Sequence, residues 1–231
     1  MLNIKVDNEY TMSSYYGSHS RFYVSVDCII FGLKEGKLSI LLTRRAFEPE
    51  KGKWSLMGGF VRPDESVDAA AERVLYELTG LHDVYMRQVG AFGRIDRDPG
   101  ERVVSVAYFA LLDTSRLSND LIAEHGAVWV DLDALPELGF DHPEMIAKGR
   151  EVMRRMFLTE PLAFRLLPEL FTLTQMQSLY ELVLGQSVDK RNFRKSILDS
   201  GRVEQTDIID KTSSRRGARM YRRKINGLTE D

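Results

Sequence analysis

Alternation of apolar and polar residues becomes regular from Arg21. Phe22-Tyr-Val-Ser-Val-Asp-Cys-Ile-Ile-Phe31 and Leu38-Ser-Ile-Leu-Leu42 flank the turn-like Lys34-Glu-Gly-Lys37, so the two runs predict a β-hairpin. At Ser66 the period changes from two to about 3.6. Val67, Ala71, Val74, Leu75 and Leu78 fall on one stripe, and Gly80 stands where such a helix ends. Strand patterning returns at Arg102-Val-Val-Ser-Val-Ala-Tyr-Phe-Ala-Leu-Leu112 and at Ala127-Val-Trp-Val130, and a helix is predicted from Pro143 to Phe157. Mixed strands and helices of this order predict an α/β (α+β) domain. Thr159-Glu-Pro161 reads as a junction, giving a division into residues 1–158 and 159–231.

Beyond the junction the pattern is mostly helical. Pro161 to Leu167 is a short helix candidate. Thr174 to Leu184 carries Met176, Leu179, Tyr180 and Val183 at helical spacing, with Thr172 or Thr174 as N-cap. After the turn Gly185-Gln-Ser-Val188, Asp189 caps a third helix from Lys190 to Leu198, ended by Ser200-Gly201. Val203 to Ile209 and Ala218 to Arg223 then form a hairpin around Ser213-Ser-Arg-Arg-Gly217. Helix, tight turn, basic helix and hairpin make a winged helix-turn-helix.

Charge sharpens this division. The chain has a net charge of -2, but residues 1–160 carry 19 Lys+Arg against 25 Asp+Glu, whereas residues 161–231 carry 13 against 9. Between Lys190 and Lys224 there are 12 basic and 4 acidic residues, the footprint of a polyanion-binding surface. Lys190, Arg191, Asn192, Arg194 and Lys195 on the third helix are candidates for base and phosphate contacts in duplex DNA. Arg215, Arg216 and Arg219 are the corresponding candidates on the wing. One cysteine, Cys28, in an apolar run excludes an internal disulfide and reads as a buried thiol. No apolar run reaches the roughly 18 residues of a membrane span, and residues 1–16 lack a signal-peptide layout, so a cytoplasmic protein is expected.

The centre of the chain resembles the Nudix box, Gly-x5-Glu-x7-Arg-Glu-U-x-Glu-Glu-x-Gly-U, where U is apolar. It reads Gly59-Phe-Val-Arg-Pro-Asp-Glu65, seven further residues, then Arg73-Val-Leu-Tyr-Glu-Leu-Thr-Gly-Leu81. Gly59, Glu65, Arg73, Leu75, Glu77, Gly80 and Leu81 match at the family spacing. The box glutamates that would converge on Mg²⁺ fall at Val74, Glu77 and Leu78. One carboxylate on an apolar stripe does not make a divalent-cation site, so no metal, no cofactor and no hydrolysis are expected. Glu77 reads as a partner for Arg73 one turn earlier, and Glu65 as a group that caps or orients the loop.

A degenerate Nudix domain followed by a winged helix resembles the Nudix-related transcriptional regulators over nearly the whole chain. Further likeness lies at Gly93-Arg-Ile-Asp-Arg-Asp-Pro99, at Phe140-Asp-His142, in Asp189-Lys-Arg-Asn-Phe-Arg-Lys195 and in Arg215-Arg-Gly-Ala-Arg-Met-Tyr-Arg222. The resemblance implies a Nudix α/β/α sandwich joined to a small DNA-binding domain, a homodimer on an inverted repeat, and a small-molecule effector that releases DNA. The branch it most resembles is the L-arabinose-responsive one of Bacteroides, with ADP-ribose and control of NAD metabolism as the alternative. Arg45, Glu65, Glu77, Asp96 and His142 are candidate polar groups for the effector, and Phe60 or Phe92 a flat apolar wall. His142 is equally readable as a structural histidine, Phe22, Phe31, Phe92 and Tyr108 as core, and Asp96, Arg97 and Asp98 as a turn. Two other classes stay open: an active Nudix pyrophosphohydrolase, and a constitutive DNA-binding protein whose Nudix part only dimerises.

Overall fold

The computed structural model describes residues 17–117, 126–211 and 217–224. Its centre is β1 (Tyr23–Lys34), the longest strand. The first half of β1 pairs antiparallel with β4 (Met57–Phe60) and its end with β2 (Lys37–Arg44). Along its other edge it runs parallel to β6 (Val103–Leu112). β5 (Tyr85–Phe92) lies outside β6, while β3 (Trp54–Ser55) and β7 (Ala127–Asp131) pair with β2, completing a seven-stranded sheet.

The period of two in β1 gives each face of the sheet its own core. Val26, Cys28 and Ile30 turn toward α1 (Val67–Thr79) and meet Ala70, Ala71, Val74 and Leu75. Ile29 and Phe31 turn the other way, toward Met145, Ile146 and Met153 of α2 (His142–Phe157). Both helices approach closely. A Cβ on Gly149 would lie 2.7 Å from Ile29, so α2 lies against the sheet where only glycine fits. α1 begins at Ser66, whose hydroxyl accepts from the Ala69 N–H, and ends on Gly80 in the left-handed region. Sheet between two helices is the expected α/β/α sandwich.

After α2, a short α3 (Ala163–Leu166) leads to β8 (Phe171–Thr172) and α4 (Leu173–Leu184). Thr172 makes a reciprocal capping box with Gln175, which decides between the two candidate caps. Asp189 accepts from the Asn192 N–H and starts α5 (Lys190–Asp199). β9 (Val203–Asp210) and β10 (Ala218–Arg223) form the wing, with β8 on the far edge of β10. This is the expected winged helix. Its core is continuous with that of the sandwich: one cluster runs from Ile29 and Met153 through Phe157, Leu162 and Phe171 to Leu179, Val183 and Tyr221. Among the described residues no helix is long and apolar enough to cross a membrane.

Candidate functional site

The box loop packs against its helix through one guanidinium. Arg73 donates to both Glu65 oxygens, Nε to Oε2 at 2.9 Å and Nη2 to Oε1 at 2.6 Å, and also to the Phe60 carbonyl at 3.1 Å. Glu77 receives Arg73 Nη1 only at 3.4 Å and Arg62 at the same distance. The main partner of Arg73 is therefore Glu65, eight residues away across the loop, rather than the expected Glu77. The Arg73 guanidinium beside Glu65, helped by the Arg62 N–H, holds that carboxyl at about 2. Val74 is buried against the sheet, and Leu78 packs on the same apolar cluster. The donor set thus does not fit the Mg²⁺ of a Nudix hydrolase: two positions are hydrocarbon and the remaining carboxylates are engaged by arginine. Among the described residues no group of three His, Cys, Asp or Glu side chains is placed to hold a metal ion.

On the opposite face of the sheet a second ionic cluster is sealed from solvent. Arg97 makes a two-pronged contact with Asp141, Nη2 to Oδ1 at 2.8 Å and Nε to Oδ2 at 3.0 Å, and lies 3.6 Å from Asp27. Ser105 donates to Asp27 Oδ2 at 2.5 Å. The Leu56 N–H donates to His142 Nδ1 at 3.1 Å, so the neutral ring carries its proton on Nε2, 3.5 Å from Asp27 Oδ1. Burial alone would raise the Asp27 carboxyl, but His142, Ser105 and Arg97 outweigh it and hold it below its ordinary value. The strands close tightly here: a Cβ on Gly58 would come within 2.3 Å of Asp27 Oδ1. Asp141 and His142 sit at the start of α2, so this cluster fixes where that helix begins.

The candidate effector residues do not converge on one pocket. Phe60, Glu65 and Glu77 gather around Arg73. Phe60 is exposed and lies 5.5 Å from the ring of Tyr23. Arg45 is held by the Pro49 carbonyl and lies between Phe47 and Phe140, whose ring in turn meets His142. His142 itself is buried, with its ring nitrogens facing Leu56 and Asp27, which corrects its candidacy as a ligand contact. Phe92 is half-buried against the core, and Asp96 is an exposed partner of Arg94. Arg97 is the one member of this sealed cluster whose role no local sequence pattern marks. Its neighbours Asp96 and Asp98 make it look like part of a turn, and its partners lie 44 and 70 residues away. Phe31 and Tyr108 are core as expected, whereas Phe22 is more than half exposed.

On α5, Lys190, Arg191, Asn192, Arg194 and Lys195 are all exposed, while Phe193 and Ile197 point inward. Arg219 is exposed on β10; Arg215 and Arg216 lie outside the described residues. A groove of about 880 Å³ lies elsewhere, between the β5–β6 edge of the sandwich and the β8–β10 sheet.

Comparison with known proteins covers both halves. Residues 21–154 match the NUDIX domain family, and residues 163–223 match the NrtR DNA-binding winged helix domain. The ADPR responsive transcriptional repressor of Acinetobacter baylyi is 37% identical over 203 residues, 86% of this chain and 81% of that protein. An ADP-ribose pyrophosphatase of Methanocaldococcus jannaschii is 34% identical over 126 residues, 54% of this chain and 74% of that protein. The structure of Shewanella oneidensis NrtR complexed with a 27mer DNA superposes with a TM-score of 0.78 at 28% identity, over 87% of this chain and 93% of that one. The pyrophosphatase match covers about half of this chain, whereas the repressor matches span 86–87% of it, and it is with them that this chain belongs: it is a member of the NrtR-type, Nudix-related transcriptional regulators.

Proposed function

We propose that the protein is a homodimeric DNA-binding repressor whose Nudix domain binds ADP-ribose without hydrolysing it, and that binding weakens its hold on an inverted-repeat operator. The observation that carries this reading is the likeness, across both domains, to a repressor that responds to ADP-ribose. L-arabinose and sugar catabolism find no support in these relatives. A diphosphate bound at a box without Mg²⁺ needs another countercharge. Arg73 is held by Glu65, but Arg62 meets Glu77 only at 3.4 Å and its side chain is more than half exposed, so it can turn to a phosphate. Guanidinium is well matched to phosphate oxygens. The likeness to a pyrophosphatase favours the enzymatic alternative, but Val74 and Leu78 remove the metal donors through which such an enzyme would act.

Titration of a protein–DNA complex tests the proposal, using a duplex enriched from a random pool by the protein itself. ADP-ribose is expected to weaken binding by roughly 5–150-fold, L-arabinose is expected to do nothing, and ADP-ribose incubated with Mg²⁺ is expected to be recovered intact. Release by neither compound, or turnover with Mg²⁺, would refute the reading. Arg191→Ala should cost about 1–3 kcal/mol of specific binding if Arg191 reads a base, and should relax sequence preference.

A further inference from the structure

We infer that α2, the last helix of the Nudix domain, positions α5, with Arg154 and Phe157 as positioning residues, so that the DNA-reading unit begins inside the sensor domain. α5 is thinly held. None of its residues is buried, and only Phe193 and Ile197 pack against the core. The aim of the outward-facing basic residues is therefore set by two side chains. Phe193 meets Tyr180 edge-on, ring centroids 5.3 Å apart, and Tyr180 meets Phe157 of α2 at 5.5 Å with the planes at 75°. Beside these rings is a solvent-open groove of about 250 Å³ whose walls include Phe157, Tyr180, Phe193 and Ile197 as well as Glu160 and Arg202. Close packing fixes most elements of a protein interior. A helix with a groove along its inner side and no buried residue lacks that constraint, and its few ring contacts decide its tilt.

The second contact grips the turn before α5. Arg154, three residues before Phe157 and on the same face of α2, donates to the carbonyl of Leu184, the last residue of α4. A cation there also suits the negative end of the helix dipole. Gly185 follows in the left-handed region, and a Cβ on it would approach Arg154 to 3.3 Å. Glu181 then accepts from the Val188 N–H at 3.0 Å and from Gln177 at 3.2 Å, and Asp189 caps α5. Arg154 thus fixes where the turn starts, and Phe157 fixes how α5 lies against it. At its other end α2 is held by the Arg97–Asp141 contact. A shift of this helix passes directly from the sandwich into the helix-turn-helix. Only the regulatory consequence rests on the ADP-ribose reading; the positioning does not.

Hydrogen exchange on the full-length, DNA-free protein tests this. Phe157→Leu and Arg154→Met are expected to speed amide exchange across residues 190–199 at least about fivefold relative to Ile146→Val, which trims the core near the start of the same helix. Tyr180→Phe, which keeps the ring, is expected to stay within about twofold of the wild type. Binding to the enriched duplex should fall about tenfold in Phe157→Leu and Arg154→Met. A residue that merely adds stability would raise exchange evenly along the chain; that outcome, or no change in residues 190–199, overturns the inference. The effect of ADP-ribose on duplex binding is measured alongside. A wild type that does not respond defeats the sensor reading and leaves the positioning to the exchange data. A wild type that responds, with both variants responding by the same factor, refutes transmission through α2.

Discussion

The box and the sealed cluster use the same chemistry at different depths. On one face of the sheet Arg73 forks onto Glu65; on the other Arg97 forks onto Asp141 and reaches Asp27. The side chains of the first pair keep 19% and 13% of their exposure, those of the second 4% and 2%. Water screens the first pair and is excluded from the second. The outer arginine can be lost with only local consequences for the loop it ties down. The inner one is the cation that two carboxylates share where little water reaches them, so removing it leaves charge stranded where it costs most.

The largest effect should therefore come from the inner cluster. Arg97→Met is expected to cost about 3–5 kcal/mol in urea denaturation, because Asp27 and Asp141 lose their shared cation. A loss below about 1 kcal/mol would mean that the two clusters do not differ as described. Arg73→Met should cost less, about 1–2 kcal/mol, as befits charged hydrogen bonds at a partly wet site. The acid limb of stability separates the two further. The folded Glu65 carboxyl titrates at about 2 against an ordinary 4.5, so its contribution is complete above about 4.5 and is lost as the pH falls toward 2. Thermal melts across that window should show a shallower decline in Arg73→Met than in the wild type; an unchanged slope would remove Arg73 as the cause. Glu77→Gln, at an exposed pair 3.4 Å apart, should change stability by no more than about 0.5 kcal/mol.

Local signals carried the reading of the sequence furthest. α1 was legible because an apolar stripe and a terminal glycine lie within fifteen residues, from Ser66 to Gly80. α5 was legible because Asp189 caps it and its charge has no other use. β5 was not anticipated: it is half-exposed along its length, and a register shift between Gln88 and Gly90 breaks the alternation that would have marked it. β8 has only two residues. The inner cluster was out of reach for a different reason. Arg97 stands in a polar loop whose sequence reads as a turn, and only the folding of β1 and α2 around it supplies Asp27 and Asp141.

The uninterrupted apolar cluster from Ile29 to Tyr221 has a consequence for how the molecule comes apart. Two modules joined by a linker would melt separately, each with its own enthalpy, and each could be exchanged for a homologous part. Here Phe157, Leu162 and Phe171 belong to both halves at once, and exposing either half strips the other of its seat. Unfolding of the chain is then expected to give one calorimetric peak rather than two. A chimera cut between residues 158 and 159 inherits half an interior.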